Sequence, residues 1–271
     1  MFAFFLPIAQ NAPLFFLVFA RSFALLLTTP LISTRAVNTT AKAALALYMA
    51  FLLMPQIVTA GYEIAYAGYG AYNLEYALLL VGEAIIGVIT GFYITIIFSA
   101  FSTAGQFFSF QTGLSAAEAY DALSQVENPI LGQFLNLIAM LIFLQTDGFQ
   151  QLFLGGLQRS FQSFNALALV THSESFYSFL LSGLSSLFFN AFVISLPIAG
   201  TLFLVSVSMG ILSKAAPQMN LLSEGLPITM SVSFLLLFAL IPSLCDFFMR
   251  VVNAGFASFE QLLIDVKVNP L

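Results

Sequence analysis

Charge is what this chain has least of. Only 7% of its 271 residues are Asp, Glu, Lys or Arg, against 60% hydrophobic. Soluble domains carry roughly a quarter charged residues, so a chain with this balance cannot hide its apolar surface in one water-soluble core. It reads as an integral membrane protein. Cysteine is limited to Cys245, which excludes an internal disulfide and any multi-cysteine metal site. Histidine is limited to His172, so neither a Ser-His-Asp set nor a His-based metal spacing can be assembled, and a Walker-type phosphate loop is also missing. The few Lys and Arg form no basic block and the net charge is −5, which speaks against nucleic acid as a partner. No cofactor and no metal is expected. An enzyme would need convergent titratable groups that this sequence lacks. The first residues have no basic region ahead of the apolar ones, so a cleaved secretory signal is not expected.

Long apolar runs are what the chain has in their place. They cover 14–32, 43–60, 76–104, 130–146, 176–212 and 226–245. Runs like these close their backbone hydrogen bonds in lipid as helices, so the fold class is an all-α integral membrane protein. By the positive-inside bias, the connectors bearing Arg35 with Lys42 and Lys214 with Glu224 are cytoplasmic, and the one bearing Glu63 and Glu75 lies on the far side. The run 176–212 would make a helix of ~55 Å, against a hydrocarbon core of ~30 Å. Pro197 is a candidate break within it. Further prolines at the ends of or inside runs point to kinked and broken helices.

Four places stand out as candidate functional residues. Gly87, Gly91, Thr95 and Ser99 recur every fourth residue and form a stripe of small side chains that lets a second helix approach closely, whether in the same chain or in another subunit. Glu83 lies one turn before that stripe and Arg21 lies inside the first run. A charge at such a place must pair, reach water or line an aqueous path. Residues 106–129 form a polar break between two of the most apolar runs, yet carry Phe107, Phe108, Phe110 and Gly113 where a surface loop would carry Lys and Asp. Bare loop cannot lie in lipid, so this stretch is expected to be buried against protein or beside a water-filled cavity.

These features occur together in one known family. Arg21 with Thr29-Pro30, Gly82-Glu83 followed by Gly87 and Gly91, Gly105 with the Phe110 to Ser115 segment, Asn128-Pro129, the Ser213 to Asn220 segment and Gly225-Leu226-Pro227 stand in the order seen in FliR. The chain resembles that family over most of its length. It departs from the family pattern at Gly148-Phe149, where Gly-His is usual, at Lys214, where Arg is frequent, and at Ser223 and Glu224, where apolar residues are usual.

The resemblance implies a non-enzymatic, pore-forming subunit of the flagellar type III protein export gate in the bacterial inner membrane. FliP and FliQ would be its gate partners, FlhB and FlhA its neighbours, and unfolded flagellar subunits its cargo. It also implies a FliP-like part over 1–175, a FliQ-like hairpin and tail over 176–271, and an assembly partly lifted from the membrane plane. The plug of the pore would be Phe107, Phe108, Phe110, Gln111, Gly113 and Leu114, and Lys214 would be a buried or paired charge like Arg21 and Glu83. An injectisome export subunit is the nearest alternative. A secondary transporter is a weaker one, because its paired broken segments should show as an internal repeat, and none is visible.

Overall fold

The computed structural model describes residues 11–34, 37–59, 73–114, 130–216 and 221–266, and they are helical nearly throughout. Helix α1 spans Ala12–Thr28 and starts with Pro13, whose missing N–H is no loss in a first turn. Thr29 takes an extended conformation, and Pro30 restarts a single turn, α2, Pro30–Ser33. Helix α3 is Thr39–Thr59 and α4 is Leu74–Thr112. Next come α5, Ile130–Gln145, and α6, Gly148–Ser163, a bent pair broken where Asp147 adopts a left-handed φ of 55°. Residues Gln151–Gln158 of α6 are wound as a π-helix. A short α7, Ala166–Thr171, is capped by the Asn165 side chain, which accepts from the backbone N–H groups of Leu167 and Ala168. Two long helices finish the described chain, α8, Ser173–Ala215, and α9, Leu221–Asp265.

The six apolar runs therefore do not become six simple crossings. Four described helices are long and apolar enough to span a membrane, or five spans if the bent pair counts as one, while α1 falls in the shorter class. The first run is cut at Thr29-Pro30, which stops α1 at 17 residues. Helix α8, by contrast, runs unbroken through Pro197 for 43 residues, ~65 Å. A proline inside a helix forfeits one main-chain bond, whereas a full break in hydrocarbon would strand several peptide groups, so the kink-tolerant helix is the cheaper solution.

The run 76–104 also extends further than its apolar composition suggests. Helix α4 continues through Gly105 to Thr112, 39 residues in all, and takes up the first part of the polar break. Nothing between 105 and 112 forces a stop. The stop comes at Gly113, whose φ of 79° suits a residue without a Cβ, and whose N–H donates to the Phe110 carbonyl at 3.3 Å. The rest of the break, 115–129, and most of the connector bearing Glu63 lie outside the described residues.

Two compact units divide the chain, and each takes pieces from both 1–175 and 176–271. In the first, made of Met1–Ile96, Asp147–Gly183 and Ala254–Leu271, α1 packs on α3, and Leu17, Val18, Leu25 and Leu26 of α1 and Ala46, Ala50, Leu53 and Met54 of α3 are buried. Tyr93 stacks on Phe179 at 4.0 Å, and Phe179 leans on Phe259. The second unit is Ile97–Thr146 with Leu184–Asn253. Its core is a set of edge-to-face rings, Phe98 on Phe143 and Phe248, and Phe101 on Phe248 at 4.7 Å. There α4 and α5 come into backbone contact: a Cβ on Gly105 would meet the main chain of Gly132, and one on Gly132 the Ser102 carbonyl at 2.9 Å.

Candidate functional site

Arg21 and Glu83 are both buried to about one per cent exposure, and the structure brings them together. The Arg21 Nε donates to Glu83 Oε2 at 2.6 Å, and Nη2 lies 2.5 Å from the same oxygen. One guanidinium nitrogen donates to Ser160 Oγ at 3.0 Å and another to the Phe164 carbonyl at 3.2 Å. Its flat face lies on the Phe161 ring at 4.0 Å from the centroid, with Phe164 further out at 5.5 Å. Glu83 uses its other oxygen to accept from the Ala166 N–H at 2.8 Å, at the first turn of α7. Two opposite charges are thus neutralised and most of their hydrogen-bonding capacity is met, the condition under which charges survive burial.

The segment that receives this pair was not legible from the sequence. Ser160, Phe161, Phe164 and Ala166 sit where the π-helical turn of α6 ends and α7 begins. Ser160 Oγ itself donates to the Leu157 carbonyl at 2.7 Å, inside the π-wound stretch. Stretches wound this way recur at functional places because they re-aim the side chains that follow. The available signal was arithmetic: one acid and one base inside apolar runs require each other.

Gly87, Gly91 and Thr95 face α1. A Cβ on Gly87 would run into the Arg21 carbonyl, and one on Gly91 would meet Thr28 and, at 2.8 Å, the Leu25 carbonyl. Thr95 Oγ1 donates to the Thr28 carbonyl at 2.7 Å. The stripe is used, up to Thr95, for packing inside the chain; Ser99 is half-buried one turn further on.

The expected plug residues at the end of α4 differ from one another. Phe108 is 2% exposed and lines a small cavity of the second unit with Thr112, Leu131, Ile198, Ser233, Phe234 and Leu237. Phe107 and Phe110 are open, Phe110 to 70%, and Gln111 is exposed beside them. Gly113 and Leu114 are half-buried, and Gly113 abuts Leu226. Helical spacing explains the split, because positions one apart point ~100° apart and cannot share one face.

Lys214 is exposed in the last turn of α8, so within this chain it is not a buried charge. Lys42, left unassigned by its sequence context, is 6% exposed, and its Nζ donates to the Ser33 and Thr34 carbonyls at 3.1 and 3.2 Å, closing the end of α2. Among the described residues no group of three or more His, Cys, Asp or Glu could hold a metal ion.

The sequence model of the family described as "Bacterial export proteins, family 1" matches residues 12–255. The flagellar biosynthetic protein FliR of Borreliella burgdorferi is 36% identical over 70% of this chain and 71% of its own. That of Bacillus subtilis is 31% identical over 83% of this chain and 85% of its own. At 27% identity, the surface presentation of antigens protein SpaR of Shigella flexneri matches 69% of this chain and 71% of its own length.

Proposed function

The chain belongs to the FliR family of bacterial export proteins, and on that premise we propose that it is a pore-forming subunit of the flagellar type III export gate, passing unfolded flagellar subunits across the inner membrane. It is a membrane-embedded export component that works with other parts of the export apparatus. In the finer reading its partners in the gate are FliP and FliQ, its neighbours are FlhB and FlhA, and it has no catalytic role. Its FliP-like part is 1–175 and its FliQ-like part 176–271. Identity to the FliR proteins of Borreliella burgdorferi and Bacillus subtilis, 36% and 31%, exceeds the 27% to SpaR, which favours the flagellar branch over the injectisome.

The observation that carries the pore role is the end of α4. A membrane-length helix stops at Gly113 with Phe107 and Phe110 uncovered and Phe108 anchored beneath them. Bulky rings exclude water and ions. In this reading Phe107, Phe110 and Gln111, with the stretch that follows, seal the closed pore, while Phe108 holds the helix end in place. Replacing Phe107 and Phe110 by Ala should give an assembled gate that leaks ions, read as growth inhibition or membrane conductance. An assembled gate that stays tight would place the seal elsewhere.

A further inference from the structure

Within the first compact unit, the opening turns of α8 and the closing turns of α9 enclose a groove of ~460 Å³. That volume falls within the ~300–1,000 Å³ of ligand sites. Phe179 and Leu262, 7% and 4% exposed, give the groove an apolar floor. The rest of its lining is polar, with Glu174 and Asp265 at the two helix ends and no Lys or Arg.

The hydrogen-bonding inventory of the lining is lopsided. Ser182 Oγ donates to the Phe179 carbonyl and Ser258 Oγ to the Ala254 carbonyl, so neither hydroxyl has a hydrogen left for a visitor. One hydrogen of the Gln261 amide goes to Asp265 at 2.9 Å. The Ser175 and Phe176 N–H groups, which the start of a helix offers to anions, go to the His172 carbonyl. Acceptors and negative charge are therefore in excess. Glu174, in the first turn of α8, complements the N–H groups there and needs no further partner. Asp265 is the opposite case. It closes α9, where unpaired carbonyls gather and repel a carboxylate, and that last turn holds no base. Among the described residues of this unit, Arg21 is held by Glu83, Arg159 by Glu260, and Lys42 by the carbonyls at the end of α2.

We propose that this groove is a docking site for a Lys or Arg side chain of another subunit of the export apparatus. A cation that only donates hydrogen bonds matches a lining rich in acceptors. Its methylene stem fits the floor of Phe179 and Leu262, and its charge offsets Asp265 at the carbonyl end of α9. The inference rests on the chain working as one part of a multi-subunit export apparatus.

The test uses the full chain purified together with the other export components, with Ser178→Cys in a Cys245→Ser background as a reporter in the groove. With both native carboxylates the introduced thiol should be protected from a maleimide. Glu174→Gln with Asp265→Asn keeps the size of both side chains and should speed labelling by about tenfold. Raising NaCl to about 0.5 M should speed it in the native groove and leave the neutral variant unchanged. A cryo-electron microscopy map of the same complex should show a Lys or Arg of another chain within about 4 Å of Asp265. Equally fast labelling with and without the carboxylates would overturn the proposal, because the groove would then be open to water. Protection indifferent to charge and salt would overturn it too, since the occupant would be apolar, and so would a map that places Lys267 of the same chain in the groove. The export reading fails on a different result, when the unaltered chain does not co-purify with those components.

Discussion

Phe107, Phe108 and Phe110 share a side chain and lie within four positions, yet only Phe108 is buried. Its removal opens a core site, so Phe108→Ala should cost ~3–5 kcal/mol, seen as a lower melting temperature of the complex, while the same change at Phe110, 70% open within the chain, should cost less. Gly91 is the second residue with a steep dependence. A Leu there has to displace the Leu25 carbonyl and Thr28, which belong to backbone and a packed side chain. Gly91→Leu should therefore prevent α1 from docking and reduce the amount of chain in the membrane, by immunoblot, even before any partner is involved. The sequence made Arg21 and Glu83 conspicuous, because a charge inside an apolar run has few allowed fates. A separation of 62 residues leaves no periodic trace of their pairing, and the one signal for it is the count of a single acid and a single base inside the apolar runs. Ser160 and Phe161 were silent for the same reason: a serine and a phenylalanine in an apolar context look like filler.

Helix existence was legible at the scale of elements, and helix ends were less so. Hydropathy locates a span because lipid demands it, but it says nothing about where a helix stops once it leaves lipid for protein contacts. Helix α4 shows this, running eight residues past the last residue of its apolar run to the glycine that ends it. Proline misled in one place and informed in another. Pro30 follows the extended Thr29 and separates two helices, while Pro197 sits inside one that continues. The end of α8 offers a direct test of helix-end electrostatics. Lys214 is exposed in its last turn, where a cation complements the unpaired carbonyls. Lys214→Arg should leave flagellar export unchanged in a motility assay. Lys214→Glu should reduce it, and equal motility in the two variants would mark the charge as merely solvated.

For the whole molecule, the decisive quantity is how much apolar surface the chain leaves uncovered. In the most apolar windows of α8 and α9 only 28% and 17% of the residues are buried, and Phe188, Phe189, Phe203 and Phe238 are all more than half exposed. At ~65 and ~68 Å these helices exceed the ~30 Å hydrocarbon core. Lipid alone cannot cover them end to end, and other helices must do so. Expressed singly, the chain should aggregate or be degraded, and with its sister subunits it should elute as one complex; a monodisperse single chain in detergent would contradict this. Composition made the membrane class plain, but no one-chain pattern says which uncovered face meets lipid and which meets protein. The open ring of Phe110 offers an optical way in. The chain contains no tryptophan, so Phe110→Trp would introduce its sole indole at a position 70% open in the chain by itself. Excited near 295 nm, where the native tyrosines absorb little, that indole should emit at shorter wavelength and resist quenching by iodide once neighbouring subunits close over the end of α4.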